Sequence, residues 1–431
     1  MSSQDIRLSD RYDLEKSPVL LNGTQALVRL MLMQKARDRA AGLNTAGYCT
    51  GYRGSPLGAV DIQMTRALDQ LEKNDIRFQP GLNEDLAVTA LWGAQQAELR
   101  GEGRYDGVFG LWYGKGPGVD RSGDAMRHVQ MAGTSPHGGV LMAMGDDHTG
   151  ESSTTCHQSD WALVDVHMPV VSPAGVQEIL DYGLYGWALS RFAGVWVGLK
   201  TMKDTVEATS VVDGRPDRMQ FVTPEFEMPE GGLSIRLGDH WISQEERLLG
   251  HKRFAAEAFA HANKIDRRVW GKPGAKIGFV AAGKNWLDLT HALSILGIDA
   301  EDSERLGITT YKVGQTWPLD MKGFHEWAEG LDLIVVVEEK RKLIEVQVKE
   351  AIFDDRRGRR VYGGMKDGEV LFQNHFALDP VEIAQKIGGI LIEEGRATDA
   401  VRAGMERVDA AMRADNAEDV ATRLPYFCAG C

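Results

Sequence analysis

The sequence predicts an α/β protein built from two doubly wound domains with mostly parallel sheets, and three observations carry that prediction. Short apolar runs alternate with stretches of helical period across residues 20–235, and the alternation returns across 276–393. Three of the apolar runs lead straight into polar, glycine-rich segments. The length, 431 residues, leaves room for two or three domains at about 150 residues each.

In the first domain, residues 1–240, the runs 46–50, 108–113, 140–144, 169–172 and 195–199 read as buried strands. Helices fall between them at 24–41, with Thr24 as N-cap and Gly42 as stop, and at 57–73 and 174–192. A further helix follows Asn83, with Ala87, Ala90, Leu91 and Ala94 spaced to share one face. A stretch rich in Pro and Gly, 213–240, then precedes a charged helix at 243–264 and a second α/β domain, 241–394. Its strands are expected at 276–281, 308–313, 333–337 and 360–362, with helices at 285–296 and 341–353. Residues 396–422 are Ala-rich and charged, the pattern of a solvated connecting helix, within a last segment, 395–431.

Composition removes several classes of function. Hydrophobic residues at 43% and charged residues at 26% describe a folded chain. No window reaches the roughly 18 apolar residues of a membrane span, and the polar N-terminus is unlike a secretory signal, so a cytoplasmic protein is expected. With 49 Lys and Arg against 62 Asp and Glu, the net charge of −13 opposes binding to nucleic acid or to an anionic membrane. The four cysteines, Cys49, Cys156, Cys428 and Cys431, are too scattered for a disulfide scaffold, and Cys49 in an apolar strand reads as a packed thiol.

Familiar motifs fail on comparison. Gly114-Lys115-Gly116-Pro117-Gly118 fits neither a dinucleotide fingerprint nor a P-loop, and no G-x-S-x-G or H-E-x-x-H occurs. The polar loops 51–58, 114–124 and 145–160 each follow a strand, and ligands of open parallel sheets bind at that end of the strands. The three loops are therefore expected at one edge, lining one site. Asp146, Asp147, His148, Cys156 and His157 have the chemistry of zinc ligands without a zinc spacing, so a polar pocket is the better reading. Trp112 and Tyr113 read as core aromatics, and Glu338 and Glu339 as a solvated helix start. Glu84 and Asp85 complement a helix N-terminus, and Glu84, if partly buried, is also ready to share a proton.

Taken in order, Tyr52-Arg53-Gly54-Ser55-Pro56, Asn83-Glu84, Tyr113 to Arg121 and Gly145-Asp146-Asp147-His148 resemble the N-terminal half of the indolepyruvate ferredoxin oxidoreductase family. Ala282-Gly283-Lys284, Val313 to Leu319 and Val337-Glu338-Glu339-Lys340 are similar to its second domain. The resemblance implies a thiamine-diphosphate pyrimidine-binding fold followed by a transketolase C-terminal-like domain. It implies oxidative decarboxylation of indolepyruvate and other arylpyruvates to an acyl-CoA, with electrons passing to ferredoxin. Glu84 matches the glutamate that hydrogen-bonds the cofactor's aminopyrimidine. Arg53 and Ser55 match the substrate-side loop, with Lys115 and Arg121 beside it. The family's Gly-Asp-Gly and its cluster cysteines have no counterpart here, so Mg2+ and [4Fe-4S] clusters are expected in a missing C-terminal part that Cys428 and Cys431 begin. Ferredoxin and CoA are the implied partners, with a homodimer or a diphosphate-binding partner subunit completing the site. The same scaffold tuned to another 2-oxo acid, or a stand-alone non-catalytic subunit, is the alternative.

Overall fold

The computed structural model describes residues 7–150 and 156–415, arranged as two units. In the first unit β1 (Val19–Asn22) stands outside the main sheet, while β2 (Thr45–Gly51), β3 (Ile76–Phe78), β4 (Gly107–Lys115), β5 (Val140–Asp146), β6 (Val170–Val171) and β7 (Trp196–Met202) pair in parallel. β8 (Thr209–Val212) pairs antiparallel with β1. From one edge the order is Gln315–Trp317, β6, β7, β5, β4, β2, β3, and the Gln315–Trp317 strand joins β6 antiparallel. The expected strands are therefore present, the strand after residue 107 running on to Lys115.

Helices cover both faces. Gly23–Ala40, Val60–Arg66 and Val176–Ala193 lie on one, where the Trp187 and Phe109 rings meet edge to face at 5.4 Å and Gly183 makes room for Leu30. Glu84–Ala94, Gly116–Arg121, Gly123–Ala132 and Asp160–Asp165 lie on the other, over a core of Val88, Leu91, Trp112, Met126, Val140 and Met142. The first of these helices is capped by Asn22 and not by Thr24. The Asn22 side chain accepts from Gln25 N at 2.9 Å, the Gln25 side chain answers Asn22 N at 3.1 Å, and the Thr24 hydroxyl itself donates to Asn22. The helix expected at 57–73 breaks at Ala67 into Val60–Arg66 and Leu68–Glu72.

The first unit runs to Asn263, past the boundary at residue 240 that the Pro- and Gly-rich stretch suggested. The reason is aromatic packing: Phe259, on the helix Arg253–Asn263, sits 5.3 Å from the Tyr185 ring and 5.4 Å from the Phe192 ring.

The second unit holds β9 (Arg267–Arg268), β10 (Ile277–Ala282) and β11 (Ile308–Val313). After β11 the chain leaves it as β12, the Gln315–Trp317 strand already placed in the first sheet. It returns for β13 (Leu333–Val336) and β14 (Arg360–Tyr362), giving the order β14, β13, β10, β11, β9 with only β9 antiparallel. Glu338 and Glu339 are buried here, which corrects the solvated helix start. The Glu338 carboxylate accepts from Leu343 N, Ile344 N and Glu345 N, closing the open N-terminus of the helix Leu343–Ile352. Glu339 accepts from Asn285 and from Leu378 N. The helix Asp399–Asp415 is likewise not fully solvated: Val401 and Val408 are buried, and Gly388 of the helix Pro380–Glu393 lies under the Met405 sulfur.

Lys252 ends the single π-helical turn Leu248–Lys252 and is completely buried, with Nζ donating to Gln130 O at 3.3 Å. Burial, reinforced by the Arg247 cation, pushes its amine down to about 7 from an ordinary 10.5. A lowered lysine value means that the unfolded chain binds more protons between those pH values, so this burial destabilises most at and below pH 7 and ceases to matter above 10.5. Lys252→Met, which keeps the volume, is expected to stabilise the protein by on the order of 1–4 kcal/mol at pH 6–7. In urea unfolding series the advantage should shrink steadily towards pH 10; a variant that is less stable at pH 6 contradicts this account.

Candidate functional site

The connection leaving β2 crosses the sheet face that carries Gly23–Ala40, and the connection leaving β4 crosses the opposite face. Between the carboxyl ends of these neighbouring strands a crevice opens, the usual ligand position of a doubly wound sheet. Glu84 stands at this crevice. Gly81 N donates to Gly51 O at 2.7 Å, fixing the approach to the helix beside the end of β2, and Asn83 caps it by accepting from Leu86 N at 2.9 Å. The Trp112 indole donates to Glu84 O at 3.1 Å from within the core.

Counting from Glu84 by three and four gives Ala87, Val88 and Leu91, and these form the buried face; Ala90, assigned to that face from spacing, is exposed and Ala94 only half-buried. Glu84 is 7% exposed and its carboxylate receives no hydrogen bond among the described residues. It rests on Gly118. A Cβ at that glycine would fall 2.5 Å from Glu84 Cγ and 2.7 Å from Oε1, so any larger residue would displace the carboxylate.

The other loops close around the same edge. After β2 the chain passes the cis Ser55–Pro56 bond, and Pro56 and Leu57 pack on Gly145 at the end of β5, where a Cβ would lie 2.9 Å from Pro56 Cδ. A Cβ at Gly54 would fall 2.8 Å from Lys115 Cδ, so the loop carrying exposed Arg53 and half-buried Ser55 packs against the stem of half-buried Lys115. Arg121 goes elsewhere: its guanidinium pairs at 2.9 Å with Asp85, the neighbour of Glu84. Of the four substrate-side candidates, three thus gather on one side of the crevice while Arg121 braces the helix that begins with Glu84. Trp112, Tyr113 and Cys49 are all buried in the core.

The third loop, 145–160, carries a charge network that reading along the chain does not disclose. Asp146 is fully buried and accepts from Ser159 N at 2.9 Å and Ser159 Oγ at 2.6 Å, with His157 Nδ1 at 3.6 Å, Lys200 Nζ at 3.9 Å and His148 Nε2 at 4.0 Å. Lys200 is paired with buried Asp160 at 2.6 Å. Lys200 was the available clue: a lysine inside the apolar run of β7 must find an acid. Among the described residues no group of three or more His, Cys, Asp or Glu side chains is placed to hold a metal ion. Cys428 and Cys431 lie outside the described residues. A separate cavity of about 820 Å3 lies against β3, between Tyr48, Phe78 and Tyr105, and none of the candidate residues lines it.

Residues 267–415 match the family described as the indolepyruvate oxidoreductase domain. The indolepyruvate oxidoreductase subunit IorA of Pyrococcus horikoshii is 24% identical over 362 residues, 82% of this chain and 50% of that protein. That of Archaeoglobus fulgidus is 24% identical over 425 residues, 97% of this chain and 60% of its own length. The chain is thus similar to the indolepyruvate oxidoreductase family. It spans about half the length of the curated relatives it matches. Its fold is similar to that of the 2-oxoglutarate:ferredoxin oxidoreductase from Magnetococcus marinus, with a TM-score of 0.57 and 13% identity over 86% of this chain and 65% of that one. Among the described residues no helix is long and apolar enough to cross a membrane.

The Asp146 network has a measurable signature. Burial alone would raise the Asp146 carboxyl, but His157, the Lys200 cation, His148 and the Ser159 hydroxyl outweigh it and hold it down to about 2. A depressed carboxyl stabilises the fold fully above its ordinary value of 3.8 and loses that contribution only as the pH falls through about 2. Asp146→Asn is therefore expected to destabilise by on the order of 1–3 kcal/mol. Urea midpoints should show a deficit at pH 5 at least as large as at pH 7; a deficit that vanishes by pH 5 refutes this assignment of charge.

Proposed function

We propose that the chain supplies the pyrimidine-binding side of a thiamine-diphosphate site in an enzyme that oxidatively decarboxylates indolepyruvate and other arylpyruvates, yielding an acyl-CoA and reducing ferredoxin in the cytoplasm. One observation carries this reading: a buried carboxylate, Glu84, with no hydrogen-bond partner among the described residues, seated on Gly118 where the sheet opens. A buried acid left in that condition suits a ligand that brings its own nitrogen. Thiamine diphosphate would supply a carbon nucleophile and an electron sink, which no side chain offers.

The chain's own residues orient and protonate. Glu84 would hold a proton between its carboxyl oxygen and the ring nitrogen of the aminopyrimidine, favouring the imino form, and its sheltered position keeps water from competing for that proton. Trp112 and the Asn83 cap hold its backbone, and Gly118 sets how far the carboxylate projects. Arg53 would clamp the carboxylate of the oxo acid, with Ser55 and Lys115 hydrogen-bonding beside it. The rim of the crevice is apolar on the helix side: Leu82 is 87% exposed and Leu86 49%, one on each side of Glu84 in sequence. Such a rim suits a covering module, either a second copy in a homodimer or a partner subunit, that brings the diphosphate and Mg2+ ligands and the [4Fe-4S] clusters.

In the full-length protein, Glu84→Gln should lower the rate of artificial-acceptor reduction with indolepyruvate or phenylpyruvate by roughly 10²–10⁴. Thermal melting of the variant should match the wild type within a few degrees. Full activity in Glu84→Gln would remove the basis of this reading.

A further inference from the structure

Two glycines, two residues apart, carry different loads. Gly118 lies under Glu84, whereas Gly116 lies under the His157 ring: a Cβ at Gly116 would fall 2.3 Å from Nδ1 and 2.4 Å from Cγ. His157 is held from both sides. Its Nε2 meets Asp120, on the same short helix Gly116–Arg121, at 2.8 Å, and its Nδ1 faces Asp146 of β5 at 3.6 Å and the Ser159 hydroxyl at 3.3 Å. The imidazole thus ties the short helix to the end of β5. The other tie of that helix, Arg121 to Asp85, is more than 40% exposed on both partners and screened by water, so it contributes little.

We propose that His157 is a positioning residue for Glu84, its imidazolium clamping the helix Gly116–Arg121 so that Gly118 seats the carboxylate. The inference rests on Glu84 binding the cofactor, as argued above. Burial opposes the charged ring, but the two carboxylates prevail and raise its pKa above the ordinary 6.5. The charged groups around the clamp are Asp120 from the short helix, Asp146 and His148 from β5 and its loop, and Lys200 from β7, whose charge is already answered by Asp160. A neutral imidazole donates from one nitrogen only, so loss of the proton breaks one of the two ties. The clamp is therefore complete below the ordinary histidine value and is lost as the pH rises through the raised one.

The test uses the full-length protein, with thiamine diphosphate affinity followed by tryptophan fluorescence between pH 6 and 10. Carbethoxylation of His157, which attacks the neutral ring, is read by peptide mass spectrometry over the same range. Asp120 is exposed, so Asp120→Asn leaves the core untouched. The expected result is a His157 midpoint above 6.5 in the wild type, moving down in Asp120→Asn, with the alkaline loss of affinity moving down by the same interval. His157→Gln should abolish the pH dependence. If the carbethoxylation midpoint moves and the affinity profile does not, the clamp does not govern Glu84 and the proposal falls while the reading of Glu84 stands. If Glu84→Gln leaves affinity unchanged, both fall together.

Discussion

The connection from β2 runs over one face of the seven-stranded sheet and the connection from β4 over the other, because parallel neighbours must be joined by right-handed crossovers. At that place the connections part to opposite faces of the sheet. The loops that follow β2, β4 and β5 converge there, and the helix that begins with Glu84 starts beside them. The site is thus a product of connectivity before any side chain is considered. Polar side chains can stand there because the sheet's own hydrogen bonds end there.

What fills the crevice is governed by close backbone approach. Gly51, Gly81, Gly116, Gly118 and Gly145 each have a neighbour within about 3 Å of where a Cβ would be, either backbone or a ring, a proline or a carboxylate. The richness in glycine is thereby explained at this edge by distance and not by flexibility, since none of these five has positive φ. Each missing methyl group lets one loop touch the next.

Periodicity made the parallel strands legible, since a run buried on both faces must be apolar throughout. Ile308–Val313 and Arg360–Tyr362 begin and end where the pattern placed them. Spacing was less reliable when a charged residue shared the buried face: omitting Glu84 shifted the helix face onto Ala90, although the true series Glu84, Ala87, Val88, Leu91 is just as regular. Buried charges were misjudged for the same reason. Glu338 looks solvated until its partners are known, and those are backbone N–H groups, whereas Lys200, inside an apolar run, already calls for an acid and finds one 40 residues away. The candidate loops could be found from strand ends, but the pairing of Arg121 with Asp85 and of His157 with Asp120 is tertiary and left no local mark.

The short strand Gln315–Trp317 bears on how the protein is made. The sheet it completes has all its other strands within the first 202 residues, so β6 waits at the margin while more than a hundred further residues leave the ribosome. An unpaired margin is where stray strands attach. Gene fragments that end near Asn263 would keep every loop around Glu84 yet leave β6 bare, so a soluble excised first unit calls for a graft of 315–318 or a charged substitute on that margin.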